Sequence, residues 1–470
     1  MSWPAIHQLA ADVRAGKVKA TDLVEQSLQA IKYKAEYKSI IATLDDAARA
    51  RAAAVDKDPK GRLAGVPFIA KDNFLVFGAE TTAASNILKG FTAPYQSTAI
   101  EKLEAEGAIC VAKANLDAFA HGSSTENSDF FTTLNPHDKT KVPGGSSGGS
   151  AAAVMLDLAP FALGSDTGGS IRLPASFCGA VGLKPTYGLV SRSGVVAMAS
   201  STDVIGPLTR TVEDAALVLD VMAGQDPLDG TTIDRQEDYT VQATPLKGKK
   251  VGIITEYMAD GLQPGVRAQI DKAIQTLKDQ GAEVSEVSLP TLPLGLAVYY
   301  VLCPAEVSSN LSRYDGQRYG FTSADAKDLD ASFKESRSIG FGKEAKRRIM
   351  IGTYVLSSGY YDAYYKKAQI VRTKLINEFK AAFKEHDFLL GPTCATTAFA
   401  VGANADDPLQ MYLTDIMTVA VNLAGIPAIS IPAGASNDDQ MPVGLQLMAA
   451  QKHDKELLDF AAALEMELQK

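Results

Sequence analysis

Two short clusters of glycine and serine contain the residues best suited to chemistry. Residues 143–150 read Pro-Gly-Gly-Ser-Ser-Gly-Gly-Ser, and residues 166–172 read Asp-Thr-Gly-Gly-Ser-Ile-Arg. Glycine lets the backbone approach a ligand closely, and a serine hydroxyl can act as a nucleophile when a base lies beside it.

Apolar segments enclose both clusters, which disfavours a flexible linker. Neither cluster contains G-K-[ST] or forms a G-x-G-x-x-G turn, which disfavours a phosphate-binding loop. Either cluster alone would fit tight turns without function as well as it fits catalysis.

The histidines and cysteines offer no local motif for a different chemistry. None of the five histidines lies in a G-x-S-x-G elbow or an H-E-x-x-H helix, so a Ser-His-Asp triad has no local support. The four cysteines form no C-x-x-C pair, which predicts neither a zinc site nor a disulfide framework. We therefore expect no metal in this chain.

Composition predicts an ordinary globular protein. The chain has 470 residues, of which 46% are hydrophobic and 21% charged, and its net charge is −9. An acidic balance disfavours direct binding of nucleic acid, because neutralising phosphates requires a basic face. No basic-then-apolar signal opens the chain, and the apolar stretch 151–164 is interrupted by Asp157 and Pro160. These features predict a cytoplasmic protein.

Strands and helices alternate around the two clusters, which predicts an α/β sheet. An apolar strand over 65–70 leads directly into Lys71, and a second apolar strand is expected over 108–112. The remaining expected elements are two helices within 5–55, helices over 97–107 and 151–158, a strand over 161–165, a β-α-β unit over 250–289, helical structure over 340–386, and strands near 387–391, 428–432 and 443–448. Residues 226–248 are polar and predict a long surface connection.

Taken together, three motifs resemble those of the amidase signature family. Lys71 lies in Ala-Lys-Asp-Asn, Ser146 in Gly-Gly-Ser-Ser-Gly-Gly, and Ser170 in Asp-Thr-Gly-Gly-Ser-Ile-Arg. The resemblance extends over nearly the whole chain. It implies a single large α/β/α domain with a central mixed β-sheet covered by helices.

The same resemblance implies how the chain is organised. One domain would span residues 1–470, with a signature core over about 61–225 and a C-terminal part that forms the substrate pocket over about 249–470. The bridging serine would follow a cis peptide bond between Gly145 and Ser146.

The resemblance also implies the catalytic residues. Ser170 would be the nucleophile, Ser146 the bridging serine and Lys71 the base. A lysine can act as a base only when it is neutral, and burial favours the neutral form. Lowering its pKa by about three units costs about 4 kcal/mol, which a closed site can sustain.

The second cluster is expected to stabilise the developing oxyanion. Backbone N–H groups of Thr167, Gly168 and Gly169, with that of the nucleophile, would form the oxyanion hole. Asp166 and Arg172 flank this turn, and we expect them to pair and brace it.

Within the family, several further segments are similar to the glutaminase subunits, of A type, in tRNA-dependent amidotransferases. These segments are 122–128, 346–353, 357–367, 407–409, 411–412 and Asp415. Such a protein hydrolyses glutamine, and its ammonia converts Glu-tRNA(Gln) to Gln-tRNA(Gln). By this resemblance Arg348 would bind the α-carboxylate of glutamine through paired hydrogen bonds, and Asp415 the α-ammonium. Tyr299, which precedes Tyr300, matches a third pocket position.

The resemblance implies partners but no cofactor in this chain. Two other amidotransferase subunits, of B and C type, would complete a heterotrimer. ATP and magnesium would bind the partner, and tRNA would contact mainly the partner. The alternatives are a free-standing amidase that hydrolyses small carboxamides and an inactive scaffold of an assembly.

Three positions depart from the usual family pattern. Ala118 and Leu173 stand where a glutamate and a glutamine are common, and His121 stands where a methionine is common. We expect His121 and Leu173 to alter the pocket or the route of ammonia.

Overall fold

An eleven-stranded mixed β-sheet forms the centre of the computed structural model, which describes residues 2–235, 237–242, 244–404 and 407–470. The strands are β1 (Ile40–Thr43), β2 (Pro67–Lys71), β3 (Ile109–Ala114), β4 (Phe161–Asp166), β5 (Val181–Lys184), β6 (Val204–Thr209), β7 (Lys250–Ile254), β8 (Glu283–Val287), β9 (Phe388–Pro392), β10 (Ala428–Ala435) and β11 (Pro442–Met448).

Helices surround this sheet. They are α1 (Ile6–Arg14), α2 (Ala20–Tyr33), α3 (Asp45–Lys57), α4 (Thr98–Ala105), α5 (Gly148–Met155), α6 (Arg172–Cys178), α7 (Val212–Met222), α8 (Pro264–Asp279), α9 (Gly295–Asn310), α10 (Leu329–Gly340), α11 (Lys343–Leu356), α12 (Lys367–Glu385), α13 (Pro408–Leu413), α14 (Val419–Ala424) and α15 (Asp454–Leu468).

The strand order is β1-β3-β2-β4-β6-β5-β10-β11-β9-β7-β8. Strand β2 runs parallel to β3 and β4, and β7 runs parallel to β8 and β9. The strands between these two groups pair antiparallel. The α/β class and the mixed sheet expected from the sequence are confirmed.

Three neighbouring strands explain how the site is assembled. Every residue of β2, β3 and β4 is buried, as expected for parallel strands covered on both faces. The rings of Phe68 on β2 and Phe161 on β4 stack with centroids 5.2 Å apart. Because β2 and β4 are parallel, their carboxyl ends lie at the same edge of the sheet. Lys71 and Asp166, the last residues of these strands, are therefore brought to one place.

The amino-terminal region differs from the prediction. Two helices were expected within residues 5–55, whereas the structure has three, α1, α2 and α3, with β1 between the last two. The short apolar run of β1 pairs antiparallel with the edge of β3, so sheet pairing breaks the helical pattern there. The expected surface connection over 226–248 contains neither helix nor strand in its described residues, 226–235, 237–242 and 244–248.

One helical stretch, Leu292–Arg313, is long and apolar enough to cross a membrane by length and composition, and 50% of its most apolar window is buried inside the protein. It includes α9, which packs against α11, α12 and α14. Pro304 lies inside the helix, and Tyr299 is buried in a hydrophobic cluster. These contacts are those of a core helix that positions side chains for the site.

The stacked phenylalanines provide a test of this packing. Truncating Phe161, which is fully buried, to alanine removes ring contacts between β2 and β4 and leaves a cavity. We expect Phe161→Ala to lower the free energy of unfolding by about 3–5 kcal/mol, measured by chemical denaturation. Phe77→Ala is the matched control, because that ring is 69% exposed and its loss should change stability little. Equal effects of the two substitutions would contradict the packing described.

Candidate active site

Lys71 is buried within a ring of serine hydroxyls. Its Nζ lies 2.8 Å from Ser146 Oγ, 2.9 Å from Ser147 Oγ and 3.0 Å from Ser165 Oγ. Asn73 donates its side-chain amide to the Ser165 hydroxyl at 3.0 Å, which fixes one side of the ring. Ser147 and Ser165 were not identified from the sequence, because neither is among the three residues that the motifs single out.

Burial controls the charge of Lys71. Desolvation lowers the pKa of its amine to about 7, against the opposing attraction of three buried carboxylates, Asp117, Asp166 and Asp203. Serine hydroxyls solvate the amine without adding a counter-charge that would hold it protonated. A large neutral fraction at neutral pH therefore follows from the environment, and the neutral amine can accept a proton.

Backbone contacts link the first cluster to the second. The peptide bond between Gly145 and Ser146 is cis, as the family resemblance implies. The Ser146 carbonyl accepts from Asp117 N–H at 3.2 Å, and Ser147 N–H donates to the Ser170 carbonyl at 3.1 Å. A Cβ atom on Gly145 would lie 2.2 Å from Asp117 Oδ2, so only glycine fits there. Lys71, Ser146 and Ser170 are therefore joined by a short chain of contacts through Ser147.

The Ser170 hydroxyl donates to no protein acceptor within the described part of the chain. Catalytic hydrogen bonds are often long before substrate binds and tighten in the complex. The Ser146 hydroxyl is held at the amine of Lys71, and its backbone neighbour Ser147 contacts Ser170. No hydrogen bond joins the Ser146 and Ser170 hydroxyls in the described part of the chain, so the relay role of Ser146 stays a prediction.

Asp166 organises the second cluster. Its carboxylate accepts from the N–H groups of Gly169 at 2.8 Å and Ile171 at 3.1 Å. Arg172 pairs with it through two guanidinium nitrogens, at 3.0 and 2.9 Å, and both side chains are fully buried. Burial alone would raise the pKa of Asp166, but the pairing with Arg172 holds that pKa at about 2. The expected brace between Asp166 and Arg172 is present.

The carboxyl-terminal half holds this brace from the other side. Arg172 also donates to Asn422 Oδ1 at 2.6 Å and to the side chain of Gln446. Thr418 donates its hydroxyl to the Gly168 carbonyl at 2.6 Å. These three residues were not identified from the sequence, because they lie more than 240 positions from the loop that they support.

The turn over residues 166–172, which was expected to form the oxyanion hole and is called the oxyanion loop below, differs from expectation at one backbone N–H group. Gly169 N–H is engaged by Asp166, so it is not free for a ligand in this structure. The Asp166 carboxylate accepts hydrogen bonds from the N–H groups of Gly169, Ile171 and Arg172. It accepts none from the N–H groups of Gly168 and Ser170. Gly169 instead adopts φ +137°, and a Cβ atom there would lie 2.2 Å from Thr418 Oγ1. Its contribution is to shape the turn.

Arg348 and Asp415 lie in one buried polar cluster near this loop. Arg348 donates Nε to Glu344 at 2.8 Å, and its guanidinium lies over the rings of Tyr300 and Tyr412, 5.3 and 5.7 Å from their centroids. Tyr300 donates its hydroxyl to Asp415 at 3.1 Å. Tyr300 thus bridges the Arg348 guanidinium and the Asp415 carboxyl, whereas Tyr412 donates its hydroxyl to Glu344, the carboxylate that pairs with Arg348.

Asp415 has no cationic partner in direct contact among the described residues. Ser123 donates to its other oxygen at 2.8 Å. Burial raises the pKa of Asp415 to about 7, with Ser123 and Arg348 opposing that rise. An ammonium group arriving beside this carboxylate would supply the missing counter-charge.

Tyr299 and Tyr300 take different positions. The Tyr299 ring lies against the oxyanion loop, since a Cβ atom on Gly168 would lie 2.7 Å from Tyr299 Cζ. The Tyr300 ring stacks on Tyr412, with centroids 3.9 Å apart. The two rings of Tyr299 and Tyr300 meet edge to face, with centroids 5.1 Å apart. The Tyr299 ring therefore connects the oxyanion loop to the polar cluster through Tyr300.

A cavity of about 140 Å³ opens at Arg348. Its lining includes Ser123, Glu344, Arg348 and Tyr412. The cavity offers the Arg348 guanidinium, which is paired with Glu344, and several hydroxyls to a small polar ligand. No group of three or more His, Cys, Asp or Glu side chains that could hold a metal occurs among the described residues.

The three departures from the family pattern have different surroundings. Ala118 is a small buried residue in the loop that follows β3. Leu173 packs into a small apolar cluster with Val142 and Phe177. His121 is fully buried and directly precedes Gly122 and Ser123, which line the cavity at Arg348.

Comparison with known proteins shows the family. A family model described as Amidase matches residues 22–458 of the chain. The chain belongs to the amidase family. This confirms the resemblance seen in the three motifs.

Relatives of this amidase family member are similar over nearly its whole length. It is 53% identical to the A-type subunit of glutamyl-tRNA(Gln) amidotransferase from Heliobacterium modesticaldum over 90% of this chain and 87% of the relative. The crystal structure of the corresponding Thermotoga maritima protein is 42% identical with a TM-score of 0.80, covering 95% of this chain and 91% of that one. The native peptide amidase of Stenotrophomonas maltophilia is 30% identical with a TM-score of 0.83, covering 99% and 97%.

The buried lysine predicts how amidase activity depends on pH. With neutral Lys71 as the expected base, kcat should rise about tenfold per pH unit below the Lys71 pKa of about 7 and level off above it. The measurement is kcat at saturating substrate from about pH 5.5 to about pH 9. Lys17→Gln is the control, because Lys17 is 69% exposed and pairs with Asp12. A midpoint that moves in the Lys17 variant would contradict the assignment.

The buried ion pair predicts a large loss of stability when one partner is removed. Arg172→Met leaves the Asp166 carboxylate buried without its cation, and we expect a loss of about 3–5 kcal/mol in the free energy of unfolding. The control is Arg318→Met, which removes an exposed arginine from an ion pair with Asp315 and should change stability little. Chemical denaturation of both variants is the measurement. An Arg172 variant as stable as the control would show that the brace contributes nothing.

Proposed function

We propose that this chain hydrolyses glutamine as the A-type subunit of a tRNA-dependent amidotransferase and supplies the ammonia that converts Glu-tRNA(Gln) to Gln-tRNA(Gln). The observation that carries the proposal is the placement of a buried arginine and a buried aspartate together, beside the loop that contains Ser170. Arg348 and Asp415 offer opposite charges to the two charged groups of a free amino acid. A simple amide lacks both charged groups, so neither Arg348 nor Asp415 would contribute to binding it.

The proposed reaction begins with proton transfer. Neutral Lys71 takes the proton of the Ser146 hydroxyl, and Ser146 takes the proton of Ser170 as Ser170 Oγ attacks the carboxamide carbon of glutamine. The carbonyl oxygen gains the negative charge. Backbone N–H groups of the second cluster, with Gly168 and Ser170 as the donors that Asp166 leaves unused, stabilise that charge.

Collapse of the tetrahedral intermediate breaks the C–N bond. Ser146 gives its proton to the leaving nitrogen and regains one from the Lys71 ammonium, so ammonia departs, a glutamyl ester is left on Ser170, and Lys71 is neutral again. Water then attacks the ester, with the same proton relay running again, and glutamate leaves. The two half-reactions consume one glutamine and one water and give one glutamate and one ammonia.

The polar cluster would orient glutamine for this attack. The Arg348 guanidinium binds the α-carboxylate, and Asp415 with its tyrosine and serine partners binds the α-ammonium. Tyr299, whose ring lies against Gly168, closes the space between that end of the substrate and the oxyanion loop. Fixing both charged groups places the carboxamide at Ser170.

Partner subunits would use the ammonia. We infer a heterotrimer with B- and C-type subunits in the cytoplasm, in which the partner binds ATP, magnesium and most of the tRNA, so this chain needs no cofactor of its own. The relatives named as A-type subunits of glutamyl-tRNA(Gln) amidotransferase support this proposal, since identity to one of them reaches 53% over 90% of this chain.

The deciding experiment compares wild type with Ser170→Ala in the assembled protein. We expect wild type to release ammonia from glutamine, and Ser170→Ala to lose that activity by more than about 10⁴-fold while keeping its partner subunits in affinity purification. Ser312→Ala changes an exposed serine just beyond the end of α9 and should retain full activity.

Two outcomes would overturn the proposal. Full glutaminase activity in Ser170→Ala would remove the nucleophile assignment. Rapid turnover of simple carboxamides by wild type, with no release of ammonia from glutamine in any assembly, would favour a free-standing amidase such as the peptide amidase whose fold it shares.

A further inference from the structure

His121 has a buried side chain without a hydrogen-bond partner. The residue is fully buried, and within the described part of the chain neither ring nitrogen, Nδ1 nor Nε2, has a hydrogen-bond partner. Its backbone is satisfied, because its N–H donates to the Ala118 carbonyl at 3.0 Å and its carbonyl accepts from Asn127 Nδ2 at 2.9 Å. Leaving a buried polar group unpaired costs about 1–3 kcal/mol. The imidazole of His121 is therefore available to a hydrogen-bonding ligand.

The residues around His121 connect it to the polar cluster at Arg348. The next two residues, Gly122 and Ser123, line the cavity at Arg348, and the Phe119 ring lies against the imidazole with centroids 6.2 Å apart. Burial, and then the charge of Arg348, hold the pKa of His121 well below its usual range. The imidazole is therefore neutral at neutral pH, with one N–H to donate and one lone pair.

We infer that His121 is a substrate-binding residue, which donates an imidazole N–H to the α-carboxylate of glutamine beside the Arg348 guanidinium. The inference rests on the proposed function, since it takes glutamine as the substrate. A carboxylate has enough lone pairs to accept from the guanidinium fork and from a third donor. A neutral imidazole adds that donor without repelling the arginine.

The charges at the other end of the cluster favour the carboxylate over the ammonium. Asp415 already receives hydroxyl donors from Ser123 and Tyr300 and lacks a cation among the described residues, so the α-ammonium belongs there. The imidazole, which precedes the cavity-lining residues Gly122 and Ser123, is then assigned to the opposite end of the substrate.

The test compares His121→Met with wild type on two substrates. Methionine fills a similar volume but cannot donate, so KM for glutamine should rise about tenfold, with kcat changed less than about twofold. With glutaminamide, in which the α-carboxylate is replaced by an uncharged carboxamide, the variant and wild type should have KM values within about twofold of one another. His121→Gln, which keeps an N–H donor, should recover part of the affinity for glutamine.

Binding measured without turnover provides an independent readout. In a Ser170→Ala background, calorimetric titration with glutamine should show about tenfold weaker binding when His121 is also replaced by methionine. Thermal unfolding of His121→Met should be no lower than that of wild type, because an unpaired polar group has been removed. His7→Met, at a histidine whose side chain is 55% exposed, is the matched control and should change neither value.

Each contrary result has a distinct meaning. If wild type hydrolyses glutamine and His121→Met binds glutamine with unchanged affinity, the inference is overturned and the proposed function stands. An equal loss on both substrates, or a marked fall in thermal stability, assigns His121 a structural role and also overturns it. Failure of wild type to hydrolyse or bind glutamine overturns the proposed function and the inference with it.

Discussion

The chemistry of this protein depends on keeping one amine out of water. Lys71 ends a fully buried strand, and desolvation brings the pKa of its amine to about 7 despite three buried carboxylates in the vicinity. Its neighbours are hydroxyls, which accept or donate hydrogen bonds without fixing the charge of the amine. A carboxylate in direct contact would hold the ammonium form, and solvent would do the same. The neighbouring Lys113 shows the contrast, because it lies in the same sheet, pairs with Asp72 at 2.6 Å and is held as part of an ion pair.

A second constraint joins regions that are distant in sequence. Asp166 fixes the turn that carries Ser170, and Arg172 fixes Asp166. Arg172 is in turn held by Asn422 and Gln446, while Thr418 holds the Gly168 carbonyl. The segment that bears Thr418 also bears Asp415, three residues earlier, and the Thr418 hydroxyl contacts the Asp415 carbonyl at 3.1 Å. A shift of the segment that bears Asp415 would therefore be transmitted to the turn at Gly168 through direct contacts. In the proposed reaction, this arrangement would couple recognition of the amino acid end of glutamine to the geometry at the reacting carbon.

The sequence predicted those features whose signals are local. Apolar runs and glycine clusters located β2, β3, β4 and both loops, and the flanking charges of the second cluster predicted the pairing of Asp166 with Arg172. The contact between Ser165 and Lys71 could not be predicted, because it arises only from the parallel pairing of β2 with β4. Asn422 and Gln446 carry no motif and act only through tertiary contact. The occupied N–H of Gly169 depends on the rotamer of Asp166, which no sequence pattern encodes. Ile40–Thr43 was missed as a strand because an edge strand of four residues is a weak signal beside alanine-rich helices.

The charge of the Lys71 amine is measured most directly by titrating that amine itself. Lysine labelled with ¹³C at Cε reports the charge of each amine by NMR, and Lys71→Arg identifies the signal by its absence. We expect the signal assigned to Lys71 to titrate with a midpoint of about 7, and a separate signal from Lys184 to titrate in the same range. A Lys71 signal that stays in the ammonium form up to about pH 10, near the ordinary lysine value, would contradict a buried, neutral base.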